Sequence, residues 1–368
     1  VRILARRFAE EVKSRHQELE AKQDLLQETL QRLGELKMMG MIVPEAYGGA
    51  GKDHVSHVLC LIEVAQASPS AGAIMAANHA FYCFPLMSYG SHEQKKIYLQ
   101  PCTTGIKIGC YAFAEDEAGP DPSFLHAKAV KNSRGWLISG RKRFVGHGHI
   151  ASYGIVLSLA GEERGDQKPS SIVMGLEESE GFKVGRVEES LDILAFRNAE
   201  MMFDNVQLPQ DALLGSLGEG MDHLKSIQNE SCIGIAALAV GVGRAVLQKT
   251  LKWVGKRRLS GKPVSTDQAV QWKLADMATD LDAAELLTLS AAWLRGRGKP
   301  CEKEVAMARI FASDAAMRTS TEGVQIMGGC GGEPCLEEYM KDAKMCQLSM
   351  GTNEFAATLV ARNLTKGN

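Results

Sequence analysis

Nine cysteines and nine histidines are the groups in this sequence best suited to metal or redox chemistry, and their spacing speaks against both. No two cysteines stand as C-x-x-C. The nearest pair is Cys330 and Cys335, in CGGEPC, and no histidine cluster adds ligands at finger-like spacing. The reading is reduced structural thiols in an intracellular protein, with no metal. Two other patterns carry chemistry. The run Lys256, Arg257, Arg258 can pair directionally with a phosphate or form a solvated basic face. The glycines of GGCGG at 328–332 can bring backbone close to a ligand or simply end a helix.

The elements that would position these groups follow from composition and periodicity. The chain has 368 residues, 45% hydrophobic and 23% charged, as in an ordinary globular protein. Its length suits roughly two or three structural regions. A formal net charge of -2 gives no footing for nucleic acid. No apolar run approaches the ~18 residues of a membrane span. The opening VRILARRFAEEVKSRHQ is charged throughout and is not a secretory signal. With no initiator Met, a presequence or disordered start is expected ahead of it.

Residues 1–104 read as a helical domain, with apolar residues at helical spacing through Leu25, Leu26, Leu30, Leu33 and Leu36. PEAYGGAGKD at 44–53 is a loop, VSHVLCLIEVAQ at 55–66 a buried helix, and GSHEQKKIYL at 90–99 a helix capped by Ser91. Residues 105–214 alternate short β-type runs with turns: IGCYAF, GWLISGRKRFVG, YGIVLSL, SSIVMGL, GFKVGRV and AEMMFDNVQLP. They predict an antiparallel barrel or sandwich. Residues 215–368 return to long helical segments, at 219–255, 265–296, 301–327 and 352–364, which predict an antiparallel helix bundle. The fold class is thus a multi-domain α+β protein in the order helical, β, helical.

This order and a series of motifs resemble the acyl-CoA dehydrogenases. PEAYGGAG at 44–51, GSHEQKKIYL at 90–99, AEDEAGPD at 114–121 and GRKRFVGHG at 140–148 are similar to the family's PxxYGGxG, GxxxQKxxxL, TEPxAGSD and GxKxWITNG segments. FDNVQLP at 203–209 and GEG at 218–220 resemble the end of its β domain. KRRLSGKPVSTDQAVQWKLADM at 256–277, VQIMGGCG at 324–331 and KDAKMCQLSMGTNEFAATLVARNL at 341–364 resemble its C-terminal motifs. The resemblance implies FAD, an acyl-CoA thioester substrate, and a place in fatty acid metabolism. A carboxylate would remove the pro-R α-proton while the β-hydrogen leaves as hydride to flavin N5. The site would stabilise the enolate oxygen and hold a base in reach. Electrons would pass to an electron-transferring flavoprotein. Dimers or tetramers, homo- or hetero-oligomeric, are implied, in a bacterial cytoplasm or an organelle matrix.

Carried over residue by residue, the resemblance sets Tyr111, Phe113 and Ala114 at the flavin ring, with Ala114 replacing a Thr or Ser. Pro120 replaces a Ser that contacts substrate or cofactor, and has neither hydroxyl nor N–H. Phe144 stands for the Trp covering the flavin, and Gly146 for a Thr that donates toward N5. Each missing hydrogen bond weakens binding by ~1 kcal/mol. Arg257, Gln325, Gly328 and Gly329 match the diphosphate and adenine end. Gly351 and Thr352 follow the catalytic position, and Glu354 stands where Gln is common. At the catalytic glutamate itself the sequence has Met350, and a thioether accepts no proton at neutral pH.

Some branches of the family place the carboxylate on the first long C-terminal helix, at a position matching Ser231; Glu230 is its neighbour. One residue on a helix is a turn of ~100°, so Glu230 serves as base only with a rotated helix or a shifted alignment. Otherwise it is a solvated or ion-paired glutamate. Glu354 is a weaker candidate. His79, in ANHAFY, lies in the helix that lines the acyl cavity in relatives and reads as a structural histidine. Phe81, Tyr82 and Phe84 read as core. Cys232 takes the place of an Arg that often follows the alternate base. The expectations are an FAD-dependent acyl-CoA dehydrogenase with a relocated base, or a degenerate subunit pairing with an active paralogue. A flavin monooxygenase on the same fold, and an acyl-CoA reductase, rank behind them.

Overall fold

The structure, a computed structural model, describes residues 2–13, 23–116, 124–188, 197–328 and 336–365. Its helices are α1 (Arg2–Lys13), α2 (Gln23–Glu35), α3 (His54–Ala67), α4 (Pro69–Ala77) and α5 (Phe84–Tyr89), then α6 (Gly220–Lys256), α7 (Gln268–Gly296), α8 (Glu302–Met327), α9 (Leu336–Leu348) and α10 (Asn353–Thr365). Between them lie β1 (Gly109–Ala112), β2 (Lys128–Asn132), β3 (Gly135–Gly146), β4 (Tyr153–Gly161), β5 (Lys168–Gly175), β6 (Phe182–Val187), β7 (Asn198–Leu208) and β8 (Leu213–Leu214). A small hairpin, β9 (Arg258–Leu259) and β10 (Lys262–Pro263), follows α6.

The chain divides into two compact units. The first comprises Val1–Leu26, Asp53–Ala76 and Ser231–Asn368. Here α1 and α7 pack on α3, and α8 packs on α7, α9 and α10. Small residues let the axes approach: a Cβ on Gly241 would meet Ala65 Cβ at 2.6 Å. Asp53 caps α3 by accepting from Ser56 N–H at 2.7 Å, and Asp267 caps α7 by accepting from Ala269 N–H. Helix α9 was not expected. Its apolar residues Leu336, Tyr339, Ala343 and Cys346 are buried at helical spacing, but charged residues interrupt them.

The second unit comprises Gln27–Lys52 and Ala77–Glu230 and holds the sheet. Strand order is β6-β7-β3-β2-β4-β5-β8, with β1 beside β4. Alternation predicted antiparallel pairing, and β2–β3, β3–β7, β4–β5 and β6–β7 pair that way. The β1–β4 and β2–β4 pairs are parallel, which corrects that expectation. After the β2–β3 hairpin the chain passes over β2 before forming β4, so β4 runs with β2. Alternation fixes which face a residue takes, not which strand lies beside it. Strand β2, KAVKN, was also not anticipated, being short and half-exposed.

One core lies around Trp136, Ile138, Met174, Phe203 and Val206. A second joins Tyr82, Phe84 and Leu86 to Tyr111, Ile155 and Ile227, with Phe81 packed against it. Gly109 is required there: a Cβ at that position would lie 2.1 Å from the Tyr82 ring. Ser91 forms a full capping box with Gln94, but the helix it opens widens into a π turn at Lys95–Leu99. Helix α6 is long and apolar enough to cross a membrane by length and composition, which the sequence reading had not flagged. Yet 89% of its most apolar window is buried in the protein, as in a core helix.

Candidate active site

Glu230 and His79 are brought together in the second unit. Both are buried, at 2% and 3% exposure. Glu230 Oε2 lies 3.2 Å from His79 Nε2. A carboxylate this deep is tolerated only with a hydrogen-bonding partner. His79 belongs to a π-helical turn, Asn78–Cys83, whose widened geometry has Phe84 N–H donating to the His79 carbonyl. Ser231 and Cys232, next along α6, are buried as well. The sequence reading held both members of this pair but not their pairing.

The turn carrying Met350 lies in the first unit, between α9 and α10. Met350 has a left-handed backbone, φ 55°, followed by Gly351 at φ 88°. Arg309 of α8, fully buried, holds the turn. Its Nη2 donates to Ser349 O at 2.6 Å and to Gly351 O, and its Nη1 to Met350 O at 3.4 Å. These carbonyls end α9, so the guanidinium meets the negative end of the helix dipole. Its Nη1 also lies 3.9 Å from Cys232 Sγ. Burial pushes the Cys232 thiol up, with Arg309 opposing. Glu354, the weaker base candidate, is exposed in the first turn of α10, held below the usual carboxylate range by the Thr352 hydroxyl.

Around β1 and β3 the expected ring-facing residues divide. Tyr111 is buried, and its hydroxyl is bonded to Ser171 Oγ at 2.9 Å. Burial raises it further out of play as an acid. Phe113 and Ala114 are half-buried. The Ala114 carbonyl accepts from Arg143 N–H, and among the described residues no backbone acceptor takes the Ala114 N–H. Gly146 pairs in the ladder with Asn198. Along β3, Trp136 and Ile138 face inward, and Lys142 continues that parity. A bulge between Lys142 and Val145 then breaks it. It puts Phe144 at φ 52° and turns its ring outward, 56% exposed, under the Arg143 guanidinium.

Two motif residues passed over in the sequence make a buried ion pair here. Lys142 Nζ donates to Glu115 Oε1 at 2.5 Å, with both side chains buried. Burial alone would raise the Glu115 carboxyl, but Lys142 and the N–H groups of His126 and Ala127 outweigh it and hold it low. The pair ties the loop after β1 to β3. Its signal was Lys142 itself, a lysine at an inward position.

Arg257, the residue after α6, is exposed, with no ion pair to a described residue, and Gln325 is exposed on α8. Gly328 has φ 61° and open space where a Cβ would sit. Pro120 and Gly329 lie outside the described residues. The described residues contain no group of three His, Cys, Asp or Glu able to hold a metal. Their seven cysteines are all buried and free.

Models of the N-terminal, middle and C-terminal domains of acyl-CoA dehydrogenase match residues 1–106, 110–206 and 218–365. The chain belongs to the acyl-CoA dehydrogenase family. It is 34% identical over 339 residues to the mitochondrial short-chain specific acyl-CoA dehydrogenase of Mus musculus, covering 92% of this chain and 82% of that one. The solved butyryl-CoA dehydrogenase of Megasphaera elsdenii is similar at 30% identity and TM-score 0.92, covering 99% of this chain and 97% of that one. A chain from structural work on the electron transferring flavoprotein of Acidaminococcus fermentans is similar at 31% identity and TM-score 0.91, covering 99% and 96%.

Acyl-CoA dehydrogenases are flavoproteins, and the residues present fit FAD unevenly. Phe144 offers an exposed ring and Ala114 an N–H without a described backbone acceptor. Arg257 and Gln325, matched by motif to the diphosphate end, are exposed. Ala114 and Gly146 supply no side-chain donor.

Proposed function

We propose that this chain is an FAD-dependent acyl-CoA dehydrogenase whose base is Glu230 in place of the residue at 350. The observation that carries it is the buried carboxylate of Glu230 held by His79 at 3.2 Å. Bound FAD would supply the two-electron acceptor. Phe144 would cover the ring and Ala114 N–H would hold its polar edge, while Arg257, with Gln325 and Gly328, would serve the diphosphate of a neighbouring subunit's FAD. Thr352, Gly351 and Pro120 are assigned to the site by motif alone. Glu230 would take the α-proton of the thioester. The butyryl-CoA and short-chain relatives favour a short acyl chain, and the third neighbour favours an electron-transferring flavoprotein as acceptor.

The test is an anaerobic titration of the purified protein with butyryl-CoA, following the flavin band. Bleaching is expected, and Glu230→Gln should slow it by about 10²–10⁴-fold. A protein that takes up no FAD, or bleaching unchanged in Glu230→Gln, sinks this reading.

A second reading is favoured by the Met350 turn. A carboxylate is missing where Arg309 fixes the backbone, and donors are missing at Ala114 and Gly146, while Arg257 stays exposed. This suits a degenerate subunit that completes a paralogue's flavin site in a hetero-oligomer. Such a subunit would be colourless alone and would raise the FAD content of the paralogue on mixing.

A further inference from the structure

We infer that Lys142 is a positioning residue for the flavin ring, aiming the Ala114 N–H by holding the carbonyl on the other side of the same peptide bond. The inference rests on the reading of the chain as an FAD protein and extends it to a buried lysine whose part so far is structural. Lys142 lies on β3 and is fully buried. Besides meeting Glu115, its Nζ donates to the Phe113 carbonyl at 3.3 Å. That carbonyl and the Ala114 N–H belong to one planar peptide group, and the group is trans. In a trans peptide the C=O and the N–H point in opposite directions. A carbonyl drawn toward the buried ammonium therefore turns the Ala114 N–H away from it. Phe113 and Ala114 are only half-buried, so the donor emerges where a ligand can meet it.

The next peptide is fixed as well. The Ala114 carbonyl accepts from Arg143 N–H at 2.9 Å, so both peptide planes that meet at the Ala114 Cα are tied to β3. Glu115 completes the clamp. Its Oε1 accepts from Lys142 Nζ at 2.5 Å and from Ala127 N–H at 3.1 Å, and its Oε2 from His126 N–H at 2.7 Å. The ion pair of Arg143 with Asp116, at 2.7 Å, also joins this loop to β3, but Asp116 is exposed and water competes for the pair. The Lys142 contacts are shielded from that competition. Lys142 also stands at the start of the bulge that turns the Phe144 ring outward. One buried side chain thus joins the two elements that carry the groups assigned to the ring. A donor held in place before the ligand arrives loses no freedom when the ligand binds.

The two contacts of Lys142 can be separated. Lys142→Met combined with Glu115→Gln removes the hold on the Phe113 carbonyl and strands no charge, whereas Glu115→Gln alone keeps that hold. The flavin-free proteins are titrated with FAD, read by quenching of flavin fluorescence, and with ADP, which carries the diphosphate end and no ring. The double variant should bind FAD about 5- to 10-fold more weakly than the parent, with ADP affinity unchanged. Glu115→Gln alone should lose less. FAD affinity unaltered in the double variant would overturn the role of Lys142 and leave the FAD reading standing. An equal loss in Glu115→Gln alone would assign the effect to the ion pair, and an equal loss for ADP would assign it to general loosening; either overturns the inference. A parent protein that takes up no FAD overturns both. If the double variant does not fold, Lys142→Gln with Glu115→Gln replaces it. Glutamine is one atom shorter and stops short of the Phe113 carbonyl, so the same loss is expected, and unaltered FAD affinity would refute the inference.

Discussion

Arg309 reaches Met350 through the backbone: its buried guanidinium donates to the Met350 carbonyl at 3.4 Å, and to the carbonyls on either side. The cation fixes the shape of the turn irrespective of the side chain at 350. Arg309→Leu should therefore lower stability by about 2–4 kcal/mol, since charged hydrogen bonds and a helix C-terminal interaction are lost together. Chemical denaturation with an unchanged m value would check it. A loss under about 0.5 kcal/mol would show that water replaces the guanidinium freely.

Glu115 and Lys142 form a closed pair, and breaking one side strands the other. Lys142→Met should cost about 3–5 kcal/mol, and Lys142→Met combined with Glu115→Gln should recover much of it. The pH dependence has a definite sign. The folded carboxyl of Glu115 lies below its ordinary 4.5. Its contribution is therefore complete above pH 4.5 and lost as pH falls through the folded value. Glu115→Gln should flatten the acid limb of a stability profile, and an unchanged limb would contradict this.

His147 predicts a second window. Burial pushes it down to about 4 from 6.5, His149 adds to the fall, and the bond from its Nε2–H to Gly109 O opposes it. The unfolded chain therefore binds a proton between these values that the folded chain refuses. Stability from neutral His147 is whole above pH 6.5 and is lost progressively toward pH 4, by about 3 kcal/mol. The difference in unfolding free energy between the parent and His147→Gln should shrink across that range. A constant difference would mean His147 does not titrate there.

Phe144 separates folding from cofactor binding. Its ring is 56% exposed on a backbone at φ 52°, which suits glycine better than phenylalanine. Phe144→Gly should leave the flavin-free protein as stable or up to about 1 kcal/mol more so. FAD affinity, read by quenching of flavin fluorescence, should fall by about tenfold. Unchanged affinity would remove Phe144 from the flavin site.

Local pattern made much of the fold legible. The long segments at 219–255, 265–296 and 301–327 correspond to α6, α7 and α8 within a few residues, because their apolar spacing is sustained over many turns. Helix α9 and strand β2 escaped notice because charged residues dilute their patterns. At the site, motif order assigned Arg257 and Phe144 their places. Neither spacing nor motif could show that His79 meets Glu230, since 151 residues separate them along the chain. The Arg309 contact was hidden for the same reason: its acceptors are backbone carbonyls, which have no sequence identity. Lys142 was the exception that could have been found, from strand parity alone.

Gly109 and Tyr82 leave each other no independent future. With a Cβ at 109 falling 2.1 Å from the ring, no side chain can arise there while the tyrosine stays. The tyrosine in turn fills space that only a glycine vacates, and its buried hydroxyl has no hydrogen-bond partner among the described residues. Across descendants of this chain the two positions should therefore drift as one heritable character. Tyr82→Phe is the only easy single step, and every other route passes through a less stable intermediate.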